Sequence, residues 1–251
     1  MPTVFMASCR HTHAFRWLPP HGFKGFVPVF PLHAMPSSAT PPLFSPARRR
    51  ALLLASACLL SACGRKKTAS RVPPGAAVLA LGDSLTWGTG ATPETSYPAV
   101  LATLTGWRIA NAGVPGDTAQ QALQRLPALL QEHQPQLVIV SIGGNDFLRR
   151  LPEADTRRDI RAICEQARAR GAQVLLVAVP AFSASAALGR PSDHALYADL
   201  ARELKLPLYE KGWSTVLARP EWRSDWVHAN AQGYAEFAQG LNRFVRQSGL
   251  L

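Results

Sequence analysis

Acidic side chains are scarce in this chain of 251 residues, and the first 82 positions hold none, the earliest being Asp83. The formal net charge is +11, from 27 Lys and Arg against 16 Asp and Glu. Residues 1–62 carry six of those cations and four of the seven histidines, so the rest of the chain has 21 cations against 16 anions, a net of +5. The basic excess thus belongs largely to a leader. No basic stripe interleaved with aromatics marks the remainder, which excludes the usual footprint of nucleic-acid binding. Cysteine is equally sparse: Cys9, Cys58, Cys63 and Cys164. Only Cys164 lies in the body of the chain, and one thiol supports neither a disulfide framework nor a metal site. It is expected to be a small buried hydrophobe. Long apolar runs are absent too. The best candidate, residues 51–60, is half of the roughly 20 residues a helical membrane span needs.

What is present divides into three parts. Arg48, Arg49 and Arg50 precede the apolar run 51–60 and then Leu60-Ser61-Ala62-Cys63, which has the charge, short apolar core and small residues of an export signal over 46–62. Residues 1–34, rich in His, Pro and Phe, fit no part of such a signal, and Met35 is expected to be the true start. Residues 63–76 read as a polar, Pro- and Gly-containing tether. The 175 residues from 77 to 251 suffice for one domain with a full core. Within it, short apolar runs at 76–81, 108–110, 137–141, 174–179 and 206–209 alternate with helical patterns at 97–104, 118–133, 153–170, 192–205 and 231–246. Such alternation predicts an α/β fold, a parallel sheet covered by helices on both faces. Pro127 is expected to kink or restart the second helix.

The chemistry clusters at the ends of those runs. Gly82-Asp83-Ser84-Leu85-Thr86 follows the first run, so Ser84 is expected on a tight turn at the carboxyl edge of the sheet. A serine hydroxyl is a poor nucleophile unless a base lies within hydrogen-bond reach and a third group orients that base. Beyond the leader only His133, His194 and His228 are available. His133 closes an amphipathic stretch and reads as a surface residue; His194 follows Ser192 and Asp193 at a helix start, where the aspartate reads as a cap. His228 sits three residues after Asp225, a spacing that brings carboxylate and imidazole to one side of a turn. Ser141-Ile142-Gly143-Gly144-Asn145-Asp146 follows the third run; its glycines permit close backbone approach, and the Asn145 amide can donate to a developing oxyanion. Gly116, ahead of a helix, could present its N–H to the same charge. Asp83 and Asp146 are expected to hold their turns through backbone hydrogen bonds.

These blocks, GDSLT at Gly82, GDT at Gly116, GGND at Gly143 and DWVH at Asp225, resemble the SGNH (GDSL) hydrolase superfamily over nearly all of residues 78–245, closest to its bacterial arylesterase and acyl-CoA thioesterase I/lysophospholipase L1 branch. The resemblance implies a three-layer α/β/α, flavodoxin-like fold with a five-stranded parallel sheet. It implies Ser84 as nucleophile, His228 as base, Asp225 as its orienter, and an oxyanion hole from the Ser84 N–H, the Gly116 N–H and the Asn145 side chain. The reaction implied is hydrolysis of an ester, thioester or lysophospholipid through an acyl-enzyme. A polysaccharide O-deacetylase and a non-catalytic envelope-binding lipoprotein are the alternatives. Many relatives have proline after the catalytic histidine, where this chain has Ala229. The GxSxG elbow is absent, which argues against the α/β-hydrolase fold. Phe147 and Leu148, directly after the oxyanion motif, are expected to form one wall of an acyl pocket. Leu-Ser-Ala-Cys also looks like the lipobox of bacterial lipoproteins, which makes Cys63 the first mature residue and the site of lipid attachment. Gly64 after it points to a periplasm-facing outer-membrane lipoprotein of a Gram-negative cell. Neither a cofactor nor a metal is expected, and the chain reads as a monomer with a membrane contact only through that anchor.

Overall fold

Ala77–Gly82 (β1) is apolar and buried along all but its first residue, as a strand flanked on both sides must be. The computed structural model describes residues 70–181 and 189–251. The signal segment, Met35, Cys63 and most of the tether lie outside the described residues. β1 pairs with Arg108–Gly113 (β2) on one side and Leu137–Ser141 (β3) on the other; Gln173–Val177 (β4) and Leu208–Tyr209 (β5) follow. All neighbours are parallel, and the order is β2-β1-β3-β4-β5. That is the flavodoxin-like arrangement, whose direction of winding reverses between β1 and β3.

Eight helices accompany the sheet among the described residues: Ser84–Trp87 (α1), Tyr97–Thr105 (α2), Ala119–His133 (α3), Gly144–Leu148 (α4), Glu153–Ala169 (α5), Ala195–Leu204 (α6), Gly212–Leu217 (α7) and Ala231–Gln247 (α8). Parallel strands need long crossovers, and the helices fill them. α2 packs on α8, with α7 against it, while α3 packs on α5 and α5 on α6, so the sheet lies between two helical layers. The three-layer expectation is met.

The α2/α7/α8 layer carries an aromatic core. Trp213 stacks on Phe237 at 3.6 Å, and Tyr97 meets both edge-on. Each such pair contributes about 0.5–1.5 kcal/mol beyond its burial. The polar ends of buried rings in this layer, and of Tyr197 in α6 on the other face, reach the strand ends and loops above. Trp213 Nε1 donates to Ser141 Oγ at 3.0 Å, Tyr197 Oη to the Ile142 carbonyl at 2.7 Å, and Tyr234 Oη to the Thr89 carbonyl at 2.8 Å. The core therefore fixes the loops after β1 and β3 as well as filling the interior.

Three details depart from the sequence expectations. α3 runs unbroken through Pro127, whose ring lies on the exposed face so that water can satisfy the carbonyl it frees. Packing begins inside the expected tether: Val72 is buried, its N–H donates to Leu250, and its carbonyl accepts from Trp107 Nε1. Asp193 does not cap α6. Its carboxylate accepts from the Lys211 N–H and the Ser214 hydroxyl, and the His194 ring accepts from Leu196 N–H instead.

Candidate active site

The register aligns the carboxyl ends of three strands, with Gly82 opposite Gly113 on one side and Ser141 on the other. The loops after β1, β2 and β3 therefore emerge side by side at the point where the winding reverses, the usual position of a ligand site in an open α/β sheet. Gly82 and Gly113 let α1 fold directly over that edge. A Cβ at Gly82 would stand 2.1 Å from Thr86 Oγ1, and one at Gly113 2.1 Å from the Trp87 nitrogen.

Ser84 is the first residue of α1. A helix start leaves its first N–H groups without intrahelical partners. Here Asp83 takes most of them: its carboxylate accepts from Leu85 N–H at 3.0 Å and its carbonyl from Thr86 and Trp87. The Ser84 N–H is left without an acceptor among the described residues. Asp83 is only 3% exposed, and burial pushes its carboxyl up to about 7, against the pull of the Leu85 N–H and of His228.

His228 reaches Ser84 from a short loop closed by the Arg223–Ala229 bridge. Its Nε2 lies 2.9 Å from Ser84 Oγ, and its Nδ1 lies 2.7 Å from an Asp225 carboxylate oxygen. The other Asp225 oxygen accepts from the N–H groups of Val227 and His228, both at 2.8 Å. The i, i+3 juxtaposition expected of Asp225 and His228 is thus present, built by an Asx turn and not by a helix. Desolvation opposes ionisation of Asp225, but the hydrogen bonds from His228 and the two N–H groups outweigh it and hold the carboxyl below its usual value. An ionised Asp225 can only accept, so Nδ1 carries the imidazole proton and Nε2 presents a lone pair to the serine hydroxyl. Ala229, where relatives often have proline, is buried and does not disturb this geometry.

Asn145 lies in α4, just past β3. Its Nδ2 donates to the Asp117 carbonyl at 2.9 Å, which uses one amide hydrogen and leaves the second. Gly116 adopts φ +86°, a left-handed conformation that suits glycine, and its N–H has no acceptor among the described residues. Its carbonyl accepts from Arg149 at 2.7 Å. Two contacts that support this loop had no sequence signal. Arg125 bridges the Asp117 carboxylate at 2.7 Å and the Gly82 carbonyl at 2.9 Å, tying the loop after β2 to the end of β1. Asp146 accepts from Ala119 N–H and the Thr156 hydroxyl, so it joins the starts of α3 and α5 to α4 and does not merely hold its own turn.

A cleft of about 450 Å³ opens over Ser84, within the range of small-molecule sites. Asn145 and His228 line it beside Ser84, and Leu148, Val179, Leu217, Trp226 and Val227 give it an apolar wall. The two residues expected there part company. Leu148 lines the cleft, whereas Phe147 turns away to stack on His194 at 4.1 Å and pack against the core. Phe147 and Leu148 diverge because an apolar ring one position along a helical turn points to a different side. Among the described residues no group of His, Cys, Asp and Glu could hold a metal ion.

Residues 80–236 match the GDSL-like lipase/acylhydrolase family. The thioesterase 1/protease 1/lysophospholipase L1 of Escherichia coli (strain K12) is 35% identical over 158 residues, covering 61% of this chain and 75% of that protein. The arylesterase of Vibrio mimicus is 31% identical over 158 residues, or 59% of this chain and 76% of that protein. The crystal structure of AlinE4, an SGNH-hydrolase family esterase, aligns with a TM-score of 0.53 at 33% identity, covering 71% of this chain and 96% of that one. With Ser84, Asp225 and His228 in one hydrogen-bonded line on a sheet of the matching topology, the chain belongs to the GDSL-like lipase/acylhydrolase family.

Proposed function

We propose that this carboxylic ester hydrolase cleaves esters and thioesters of small or lipid-derived acyl groups through an acyl-enzyme on Ser84. The observation that carries the reading is the relay from Ser84 through His228 to Asp225, at 2.9 and 2.7 Å. Ser84 Oγ attacks the carbonyl carbon while His228 Nε2 takes its proton, and Asp225 stabilises the imidazolium. The oxyanion receives hydrogen bonds from the Ser84 and Gly116 N–H groups and the free Asn145 amide hydrogen. As the intermediate collapses, His228 returns the proton to the departing alcohol or thiol. Water then attacks the acyl group with His228 as base and restores the serine. The thioesterase and arylesterase names of the relatives support this substrate class. Purified protein assayed on p-nitrophenyl esters of graded chain length should hydrolyse several lengths with a burst of nitrophenol. Turnover of acetate alone would favour a deacetylase, and no turnover at any length would refute the reading.

We also propose that the signal segment ending at Ala62 is removed, that Cys63 is acylated, and that a tether from there carries the hydrolase domain 77–251 on the periplasmic side of the outer membrane. The support is sequence alone: Leu60-Ser61-Ala62-Cys63 after a short apolar run, and Gly64 following. Mass spectrometry of the mature N-terminus should find lipid on Cys63, and a different unmodified N-terminus would overturn this.

A further inference from the structure

Large apolar side chains left in water usually scatter singly over a surface. Here the five that stand exposed among the described residues form a rim at the carboxyl edge of the sheet: Trp87 ends α1, Leu148 ends α4, and Val114, Leu151 and Trp226 lie in the loops after β2, after α4 and beside His228, with Leu148 and Trp226 also lining the cleft. Trp226 is 74% exposed and Trp87 54%. Leaving two tryptophans so open is costly unless something covers them. Their neighbours indicate what. Arg149 and Arg150 sit between Leu148 and Leu151, and Arg149 reaches across to the Gly116 carbonyl beside Val114. The Arg223 guanidinium lies 5.3 Å from the Trp226 ring centre. None of these three arginines has a carboxylate partner among the described residues, whereas the exposed Glu221 at this edge lies 3.6 Å from Arg219.

Tryptophan, leucine and unpaired arginine side by side suit the zone where headgroups meet acyl chains. The indole sits at that boundary, and arginine binds phosphate while its stem remains in apolar surroundings. We propose that this rim seats on an anionic phospholipid bilayer, with the cleft opening onto the lipid surface. That the seated cleft then receives an ester rests on the function proposed above; the seating itself does not. The described chain enters at the opposite edge, where the Ser70 carbonyl accepts from Gln173 at the start of β4.

The test uses the full chain carrying Cys63→Ser, so that no acyl group contributes, sedimented with vesicles of phosphatidylglycerol or of phosphatidylcholine. The protein should associate with the anionic vesicles and distinctly less with the neutral ones. Trp87→Ser with Leu151→Ser should weaken that association by roughly tenfold, and Arg150→Glu by several-fold. Neither variant touches the cleft lining, so turnover of a soluble acetate ester should be unchanged, which also reports intact folding. Association unaltered in both variants, or equal on the two lipids, would overturn the proposal. So would a concentration-dependent dimer that the double variant abolishes, since a second copy would then cover the rim. Loss of ester turnover with association intact would instead count against the esterase reading alone.

Discussion

Asp83 stands directly under Ser84, and its carboxyl is far from its ordinary behaviour. Its carboxyl is raised from 3.8 to about 7 because it is buried. Between those values the native chain holds a proton that the unfolded chain has released, so stability falls as pH rises through this window. An asparagine at this position would keep the acceptor for Leu85 N–H without any charge to desolvate. Asp83→Asn should therefore raise Tm by roughly 4 °C or more at about pH 8, with the gain vanishing near pH 4. Thermal melts across that range check it, and a gain independent of pH would show that the carboxyl is not the cause. Ser84, Asp225 and His228 were legible in the sequence because nucleophile, base and carboxylate are side-chain chemistry at fixed spacing. The contacts that aim Asn145 and Gly116 were not, because their acceptors are the carbonyls of Asp117 and Gly116, and any residue type supplies a carbonyl. Asp193 was misread for a related reason: a carboxylate before a helix suggests a cap, but its partners Lys211 and Ser214 lie far along the chain.

Strand ends and short helices, more than the long elements, set the site. The three central strands and the long helices were readable because a doubly covered parallel strand is continuously apolar and an amphipathic helix repeats. α1, α4 and α7 were not, since helices of four to six residues are too short for periodicity to register. Their positions come from glycines at strand ends and from capping partners that only the fold brings near. Asp146 makes this explicit. Asp146→Ala would orphan the Ala119 N–H and leave the Thr156 hydroxyl only the Pro152 carbonyl at 3.5 Å, costing about 1–3 kcal/mol and loosening α4 beneath Asn145. Such a variant should melt several degrees lower and also lose kcat. A lower Tm with unchanged kcat would mean that α4 is held by other contacts. The exposed end of α4 makes a different expectation. Leu148→Ala should reduce kcat/KM for medium-chain esters more than for acetate, because each methylene loses up to about 0.8 kcal/mol of apolar contact. A uniform loss across chain lengths with a lowered Tm would assign Leu148 to packing.

Taken as one object, the domain has two ends with different work. At the amino edge of the sheet, Val72 and Gln173 secure the incoming chain; at the carboxyl edge, three loops converge on a cleft with an apolar wall and an exposed aromatic rim. The rigid middle, an aromatic layer whose polar tips hold the loops, keeps the catalytic distances in the free protein. Preorganisation of this kind lets the hydrogen-bonded line and the oxyanion donors act without rearrangement during the reaction. The proposed reaction depends on Ser84 as the attacking group. Ser84→Ala leaves the fold, the cleft and the oxyanion donors in place and removes only the hydroxyl that lies 2.9 Å from His228. The decisive measurement is hydrolysis of p-nitrophenyl butyrate by Ser84→Ala protein freed of wild type. The rate should fall about 10⁴-fold or more, and adding His228→Ala should lower it little further, because nucleophile and base act as a unit. Turnover by Ser84→Ala near the wild-type rate would contradict the assignment.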